Sequence, residues 1–344
     1  MAVTATKPRG AGPRKPGAAR LAFALLGALV LLAAALLASV RYGSLPTSFG
    51  AVFDVLRGQG DPYITTVVES RYPRTVLGVL AGASLAVAGC LMQGVTRNPL
   101  AEPGMLGITA GASASIVVAT AYLGMSGQMA TLLWALPGAL LAGLVVYAVG
   151  TRGGGSGMVR LVLTGAVLSA VLSAFIQAVT LSKPAVFDSY RYWVVGSLGG
   201  RGFDVFWTVL PLAGAGLVAA LLLGRALNTV ALGDDSATAL GAKPARIKAA
   251  GLLAATVLGA AATAAVGPIA FVGLAVPHVV RVLVGVDFRL QLLFCALFGP
   301  SLLLFADVVG RLVLRPQELM VGVVTAFVGA PALLIAVRRM KGNA

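Results

Sequence analysis

Long runs without charge restrict the fold of this chain more than any other feature of its sequence. A helix needs about 20 mainly apolar residues to cross a bilayer. The uncharged run 104–151 is divided by the polar, glycine-rich residues 124–128, and the run 249–280 is divided at Gly267 and Pro268. With these divisions the sequence predicts about ten spans, near residues 21–40, 75–96, 104–123, 129–150, 161–182, 205–224, 249–266, 271–280, 290–310 and 319–337.

The composition agrees with a bundle of transmembrane helices. Hydrophobic residues make up 58% of the chain and charged residues only 11%, whereas soluble domains carry about 25% charged residues. Such hydrophobicity excludes disorder, and the absence of sustained alternating segments argues against an outer-membrane barrel. We therefore expect an all-α polytopic membrane protein, with a basic tail over residues 1–20 and a single transmembrane domain over 21–344.

The distribution of charge predicts the orientation of the chain. An even number of spans places both termini on one side, and that side holds 17 of the 26 Lys and Arg residues but four of the 11 Asp and Glu residues. Because cytoplasmic loops carry the excess of positive charge, both termini are expected in the cytoplasm. The basic tail lacks interleaved aromatic residues, so it is interpreted as a topology determinant and not as a nucleic-acid site.

Several kinds of chemistry are not expected of this chain. No glycine is followed by lysine, so the phosphate-binding loop typical of ATPases is missing and any ATP-driven function needs a partner. One histidine, His278, and two cysteines, Cys90 and Cys295, are too few for a His/Cys metal cluster. No catalytic constellation can be assembled, and we expect no cofactor or metal to be bound by the chain itself.

One ionisable residue lies deep within a predicted span. Asp307 precedes Arg311 by four residues, so both side chains lie on one helical face and can pair. Ionisable groups within spans are costly and often functional. The pair is interpreted as a structural contact near the outer end of the ninth span, and a proton site at Asp307 is the alternative.

Two interrupted segments point toward a transport pathway. The connection 97–104 contains two prolines and a glycine, which prevent continuation of a helix. The second segment, residues 267–278, is apolar but interrupted by glycine and proline. Irregular backbone at membrane depth is tolerated only where it is buried in protein or lines a cavity. Its candidate residues are Gly267, Pro268, Gly273, Pro277 and His278.

The segment 225–248 is the longest one expected on the cytoplasmic side. Asp234 or Asp235 can accept hydrogen bonds from the first amides of a helix, and Gly241 suits the end of that helix. A short helix outside the membrane is more than a connector needs. It therefore predicts a docking surface for a cytoplasmic partner.

Blocks of the sequence resemble the signature of a known family. They include Arg-Tyr-Pro-Arg-Thr at 71–75, Gln-Gly-Val-Thr-Arg-Asn-Pro-Leu-Ala-Glu-Pro-Gly at 93–104 and Gly-Pro-Ile-Ala-Phe-Val-Gly-Leu-Ala-Val-Pro-His at 267–278. With further blocks near residues 306–311 and 318–331, the order and spacing are similar to those of FecCD permeases. These are membrane subunits of type II ABC importers for iron-siderophores, haem and cobalamin.

The resemblance implies an inverted-repeat permease fold of ten spans in the plasma membrane of a bacterium. It also implies a dimer with a second copy or a paralogue, two cytoplasmic ATP-binding subunits that use ATP and Mg²⁺, and an extracytoplasmic substrate-binding protein. By motif position it assigns binding-protein docking to Arg71, Arg74 and Arg311. It assigns the cytoplasmic gate to Asn98, Pro99, Leu100, Met158 and Val159, and ATPase coupling to Asp234, Asp235, Ser236, Ala237, Leu240 and Gly241.

The function expected from this resemblance is import of a ferric siderophore, with haem and cobalamin as alternative cargoes. Two other classes remain open from the residues alone. A secondary transporter driven by an ion gradient would depend on Asp307, and a non-transporting receptor or scaffold would show no ATP-dependent uptake.

Overall fold

A computed structural model of the chain describes residues 17–43, 47–150 and 157–341. Within these ranges the regular structure consists of α-helices and one 3-10 helix at Pro103–Leu106, with no strand. The α-helices are α1 (Ala18–Arg41), α2 (Phe49–Leu56), α3 (Pro62–Glu69), α4 (Arg71–Thr96), α5 (Ile108–Tyr122), α6 (Gln128–Gly150), α7 (Gly157–Ser182), α8 (Pro184–Val194), α9 (Phe203–Ala231), α10 (Asp234–Ala239), α11 (Pro244–Val266), α12 (Val272–Val284), α13 (Phe288–Val313) and α14 (Val321–Lys341).

Among the described residues, seven helical segments are long and apolar enough to cross a membrane. They are α1, the consecutive α3 and α4, α6, α7, α9, α11 and α13. Shorter apolar helices cover Ile108–Tyr122, Val272–Val284 and Val321–Pro331. The expected class of all-α polytopic membrane protein is confirmed, whereas residues 1–16 of the basic tail lie outside the described ranges.

The bundle is built around α4 and α11. Their most apolar windows are 89% and 78% buried, against 11% for α1 and 17% for α7. Helix α4 contacts α9, α11, α12 and α13, so it is surrounded by protein on most sides. The poorly buried apolar helices lie at the periphery, where lipid or another subunit has to cover them.

Small residues allow the central helices to approach closely. A Cβ atom at Gly82 of α4 would lie 2.7 Å from the carbonyl oxygen of Gly299 and 2.7 Å from the backbone of Pro300 on α13. No real side chain fits at that distance. The small-residue pattern around Gly82 therefore serves helix packing, which is how helices associate in lipid without a hydrophobic drive between them.

Several helix boundaries differ from the sequence-based expectation. Helix α9 continues to Ala231 instead of ending near residue 224, and α4 begins at Arg71 instead of residue 75. A charged residue near a span end does not stop a helix, because long basic side chains extend to the membrane interface. In contrast, α5 begins only at Ile108, since a 3-10 helix and Gly107, at φ 71°, precede it.

Candidate functional site

A buried ionic cluster joins α4 and α13 near the ends of these helices. The Asp307 carboxylate lies 2.8 Å from Nη2 of Arg74 and 2.9 Å from Nη2 of Arg311. Arg74 also contacts Glu318 through Nη1 at 2.8 Å. The expected pair of Asp307 with Arg311 is present, and Arg74 is an additional partner that the helical spacing did not indicate. The Asp307 carboxylate is thus shared by two guanidinium groups, one of which also contacts Glu318.

Two arginines of this region bind the carboxyl-terminal end of α1. Nη1 of Arg71 donates to the carbonyl oxygens of Val40 and Arg41 at 2.8 Å each. Nη1 of Arg311 donates to the carbonyl oxygen of Ser39 at 2.9 Å. The last carbonyls of a helix lack partners within the helix, and positive charge there is favourable. Arg71 and Arg311 therefore fasten α1 to the bundle.

Arg311, which the motif position assigned to docking, is buried in this conformation. Its side chain is 1% exposed, and its terminal nitrogens are engaged by Asp307 and Ser39. Arg71 is also buried, and Arg74 retains an exposed fraction of 13%. The contacts of Arg71 and Arg311 with α1 involve residues far away in the sequence and could not be read from the motif.

These arginines line a cavity of about 450 Å³. Arg201, from the loop between α8 and α9, is a fourth arginine at its wall. Its Nε atom is buried and has no hydrogen-bond partner among the described residues. Burial lowers the pKa of the Arg201 guanidinium, and an anion in the cavity would favour the charged form. Four arginines and one acidic residue, Glu318, line the cavity, and Asp307 lies next to it, so positive charge is in excess.

The interruption expected at Gly267 and Pro268 is present between α11 and α12. Helix α11 ends at Val266, and the backbone at Phe271 has a left-handed φ of 69°. A Cβ atom added at Gly273, in the first turn of α12, would lie 3.2 Å from Cδ of Pro103. The two irregular segments predicted from the sequence therefore lie next to each other, a contact that the sequence did not indicate.

The rest of the broken element is packed tightly against α4. Gly273 lies directly against the backbone of Gly89, where a Cβ atom at Gly89 would overlap the Gly273 carbonyl. Pro277 lies inside α12 and is buried, and His278 is partly buried. These residues lie between protein elements, as expected for irregular backbone within a membrane protein.

The predicted gate residues occupy two separate elements. Oδ1 of Asn98 accepts a hydrogen bond from the backbone N–H of Leu100 at 3.0 Å, which fixes the turn that includes Pro99. Val159 lies in the first turn of α7 and is 58% exposed. Met158 belongs to the same turn, and its side chain lies outside the described part of the chain.

Residues 234–239 form the short helix expected in the segment 225–248. The backbone N–H of Gly241 donates to the carbonyl oxygen of Thr238, and the backbone N–H of Ala242 donates to the carbonyl oxygen of Ala237, each at 2.9 Å. With Gly241 at φ 80°, this is a Schellman ending. Ala237 is buried and Leu240 is 67% exposed, so the helix presents an apolar tip.

The prediction that Asp234 or Asp235 caps the N-terminus of this helix is wrong. The capping position is Gly233, and no side chain provides a capping hydrogen bond. The Asp234 carboxylate instead contacts Arg97 and Lys248, each at 2.5 Å. Hydrogen bonding from Lys248, together with the Arg97 guanidinium, lowers the pKa of the Asp234 carboxyl below its ordinary value. The two charged partners outcompete the backbone amides for this carboxylate.

Sequence reasoning did not assign a role to Arg97, Lys248 or Arg201. Arg97 and Asp234 are 137 residues apart, so no local spacing indicates their contact. Arg201 lies among Gly199, Gly200 and Gly202, and an arginine within a glycine-rich loop is the sequence signal that could have indicated it.

Comparison with known proteins adds independent observations to this geometry. The FecCD transport family matches residues 30–339. The ferric enterobactin transport system permease protein FepD of Escherichia coli (strain K12) is 47% identical over 321 residues, covering 92% of this chain and 96% of that protein. The Fe(3+)-citrate import system permease protein YfmD of Bacillus subtilis (strain 168) is 39% identical over 269 residues, covering 78% and 80% respectively.

A solved structure has the same fold. It is described as a metal-chelate type ABC transporter in an inward-facing conformation, with a TM-score of 0.81 and 26% sequence identity, and the match covers 92% of this chain and 98% of the other. The family match extends over nearly all of the membrane helices described above. The chain therefore belongs to the FecCD transport family.

Proposed function

We propose that this chain is the membrane-spanning subunit of an ABC importer that carries a ferric siderophore into the cytoplasm. The observation that carries this proposal is the 47% identity, over 92% of the chain, to a ferric enterobactin permease. A second permease, two ATP-binding subunits and an extracytoplasmic binding protein complete the importer. This chain then provides the pathway, and ATP and Mg²⁺ are used by the partner ATPase.

The proposed orientation has both termini in the cytoplasm of a bacterial cell, with the chain in the plasma membrane. It is supported by the loop charges, since 17 of 26 cations lie on the side of the termini. In this orientation α10 faces the cytoplasm, and the cavity lined by Arg74 and Arg201 faces the opposite side.

Docking of the binding protein is proposed at this positively charged cavity. Arg74 and Arg201 are the residues we assign to it, because Arg71 and Arg311 are occupied by the end of α1. A carboxylate of the partner would enter the cavity and contact the buried Nε of Arg201. Positive charge in the cavity is expected to speed the association of the binding protein and to fix its orientation on the permease. Its effect on the final affinity is expected to be smaller.

The ATPase is proposed to receive α10. A rigid ending at Gly241 and an exposed Leu240 are the features that support this assignment. An apolar residue at the tip of a short, well-terminated helix suits insertion into a groove of a soluble partner. Asp235 and Ser236 are exposed on the same helix and are assigned to this contact, and Ala237 anchors the helix from its buried side.

The cytoplasmic gate is proposed at the turn Asn98–Leu100, together with Met158 and Val159 of α7. In the dimer, α7 would approach the second permease, which is supported by the low burial of its apolar surface. The broken element between Gly267 and Phe271 is proposed to line or brace the pathway. The tight packing of the following Gly273 against α4 and Pro103 favours a bracing role in this conformation.

Cargo uptake into proteoliposomes tests the proposal. The complete importer is reconstituted with ATP inside the vesicles, and accumulation of a ferric siderophore, haem and cobalamin is measured with the binding protein outside. We expect ATP-dependent accumulation of the ferric siderophore alone. Accumulation of haem or cobalamin in its place would contradict the proposed cargo, and no accumulation of any cargo would contradict the transport function.

A further inference from the structure

The Asp234 carboxylate connects three helices at the base of α10. Its Oδ1 atom lies 2.5 Å from Nη2 of Arg97, which directly follows α4, and its Oδ2 atom lies 2.5 Å from Nζ of Lys248 on α11. The same Arg97 nitrogen donates to the carbonyl oxygen of Val230, in the last turn of α9, at 2.6 Å. Asp234 is the only acidic residue among these contacts, so its carboxylate connects α10 both to the end of α4 and to α11.

We propose that Asp234 is a positioning residue that ties α10 to the end of α4, so that displacement of α10 moves the turn Asn98–Leu100. This inference rests on the proposed function, in which α10 receives the motion of the ATPase. It assigns Asp234 a role different from direct contact with the ATPase. The carboxylate faces its own chain, where both of its oxygens are occupied.

The backbone at Arg97 supports this assignment. Arg97 has a φ of 50°, and it is one of two non-glycine residues in the described ranges with a left-handed backbone. Such a conformation is uncommon for a residue with a side chain and persists only when surrounding contacts enforce it. The contacts with Val230 and Asp234 are those that hold the Arg97 side chain in place.

The connection continues without a gap into the gate turn. Asn98 follows Arg97, its backbone N–H donates to Oγ1 of Thr96 at 3.2 Å, and its side chain accepts from the backbone of Leu100 at 3.0 Å. These two hydrogen bonds fix the turn directly after Arg97. Pro103, a few residues later, lies beside Gly273 in the first turn of α12. A contiguous set of contacts thus leads from α10 to the broken helix.

The exposure of the Arg97 and Asp234 side chains indicates how their replacement should affect folding stability. The Arg97 and Asp234 side chains are 42% and 49% exposed. Ion pairs as exposed as this contribute little to folding stability, so variants at these positions should fold and assemble. Their effect is expected in the coupling of ATP hydrolysis to transport, because the geometric link between α10 and the turn is lost.

A double-mutant cycle tests the proposal in the complete reconstituted importer. The variants are Asp234→Asn, Arg97→Gln and the double substitution, and the quantity measured is cargo imported per ATP hydrolysed. Each single variant is expected to lower this ratio about 2- to 30-fold, the range of known couplings within proteins. The double variant should be no worse than the more severe single variant, and Asp234→Glu should restore part of the ratio. Binding of the ATPase is measured in parallel and should be unchanged.

Arg281→Gln is the control for loss of charge. Arg281 is exposed in the last turn of α12, and its substitution is expected to leave the ratio at the wild-type value. A wild-type ratio for Arg97→Gln, or losses that multiply in the double variant, would overturn the proposal. So would release of the ATPase by Asp234→Asn, which would mean direct contact. If the wild-type importer itself shows no ATP-dependent uptake, the proposed function fails instead, which is a distinct result.

Discussion

The Asp307 carboxylate on α13 accepts a bidentate set of hydrogen bonds from the Arg74 guanidinium on α4, through Nε at 3.0 Å and Nη2 at 2.8 Å. Arg311, one turn further along α13, contacts the same carboxylate. Asp307 is 2% exposed. The group that most resembled an intramembrane proton site in the sequence is therefore the shared counter-charge of two arginines, which favours the structural interpretation.

Replacement of Asp307 by Asn is expected to destabilise the chain severely. Arg311 would lose its buried counter-charge, Arg74 would keep only the partly exposed Glu318, and breaking a buried ion pair in this way costs about 3 to 5 kcal/mol. Equilibrium unfolding in mixed micelles measures the change. Asp188→Asn, which removes the exposed pair with Arg191 on α8, is the control and should change the free energy of unfolding by less than about 1 kcal/mol. A stable Asp307→Asn variant that has lost only ion-coupled uptake would support a secondary transporter instead.

A methyl group at Gly82 is expected to separate α4 from α13. The added Cβ would lie 2.7 Å from backbone atoms of Gly299 and Pro300, which cannot move independently of their helix. Overpacking of this kind costs about 1 to 3 kcal/mol. Gly214→Ala on α9 is the matched control, because nothing lies within 4 Å of its added Cβ. That variant should be as stable as wild type or more stable by up to about 1 kcal/mol. Equal stability of the two variants in the same unfolding experiment would contradict the described α4–α13 contact.

Replacement of Arg201 by Gln is expected to slow docking of the binding protein. Arg201 brings positive charge to the cavity, together with a buried Nε that has no hydrogen-bond partner in the described part of the chain. Loss of one such charge should reduce the association rate about 2- to 10-fold at low salt and reduce its salt dependence. Surface plasmon resonance on the importer in nanodiscs measures both. Arg191→Gln on α8, an exposed arginine paired with Asp188, should bind as wild type does. An Arg201→Gln variant with unchanged rate and salt dependence would exclude the cavity as the docking site.

Much of the architecture could be predicted because the bilayer demands it. Each apolar run had to become a helix, and the break at Gly267 and Pro268 followed from the loss of backbone hydrogen bonding at proline. The contacts of the arginines around the cavity could not be predicted in the same way. Arg311 binds Ser39, 272 residues away in the sequence, and nothing local distinguishes an arginine that caps another helix from one that awaits a partner. The same limit applies to Asp234. Its position in the sequence indicated a helix cap, but its carboxylate forms ion pairs with two cations that are distant in the sequence.

Stability is expected to depend on pH through Asp287. This residue caps α13 by accepting from the backbone of Arg289 at 2.9 Å, and hydrogen bonding from the Arg289 side chain is the largest cause that lowers its pKa to about 2. The unfolded-state pKa is about 3.9, so the stabilisation is complete above that value and is lost as the pH falls toward about 2. Asp287→Ala should cost about 0.5 to 2 kcal/mol at neutral pH, as for other N-caps. The difference from wild type should shrink below about pH 4.

Thermal unfolding at a series of pH values checks this dependence. Asp54→Ala in α2 is the control, because the Asp54 side chain is exposed and caps no helix. A difference between wild type and Asp287→Ala that stays constant from neutral pH down to about pH 3 would contradict the role given to the Asp287 carboxylate.

The energy source for uptake distinguishes an ABC importer from a transporter driven by an ion gradient. Proteoliposomes that contain the complete importer are supplied with a ferric siderophore on its binding protein, and accumulation is compared under internal ATP and under an imposed proton or sodium gradient. We expect accumulation with ATP, none with the gradients alone, and none when the ATPase subunits are omitted. Accumulation driven by a gradient in vesicles that lack the ATPase would contradict the proposed function.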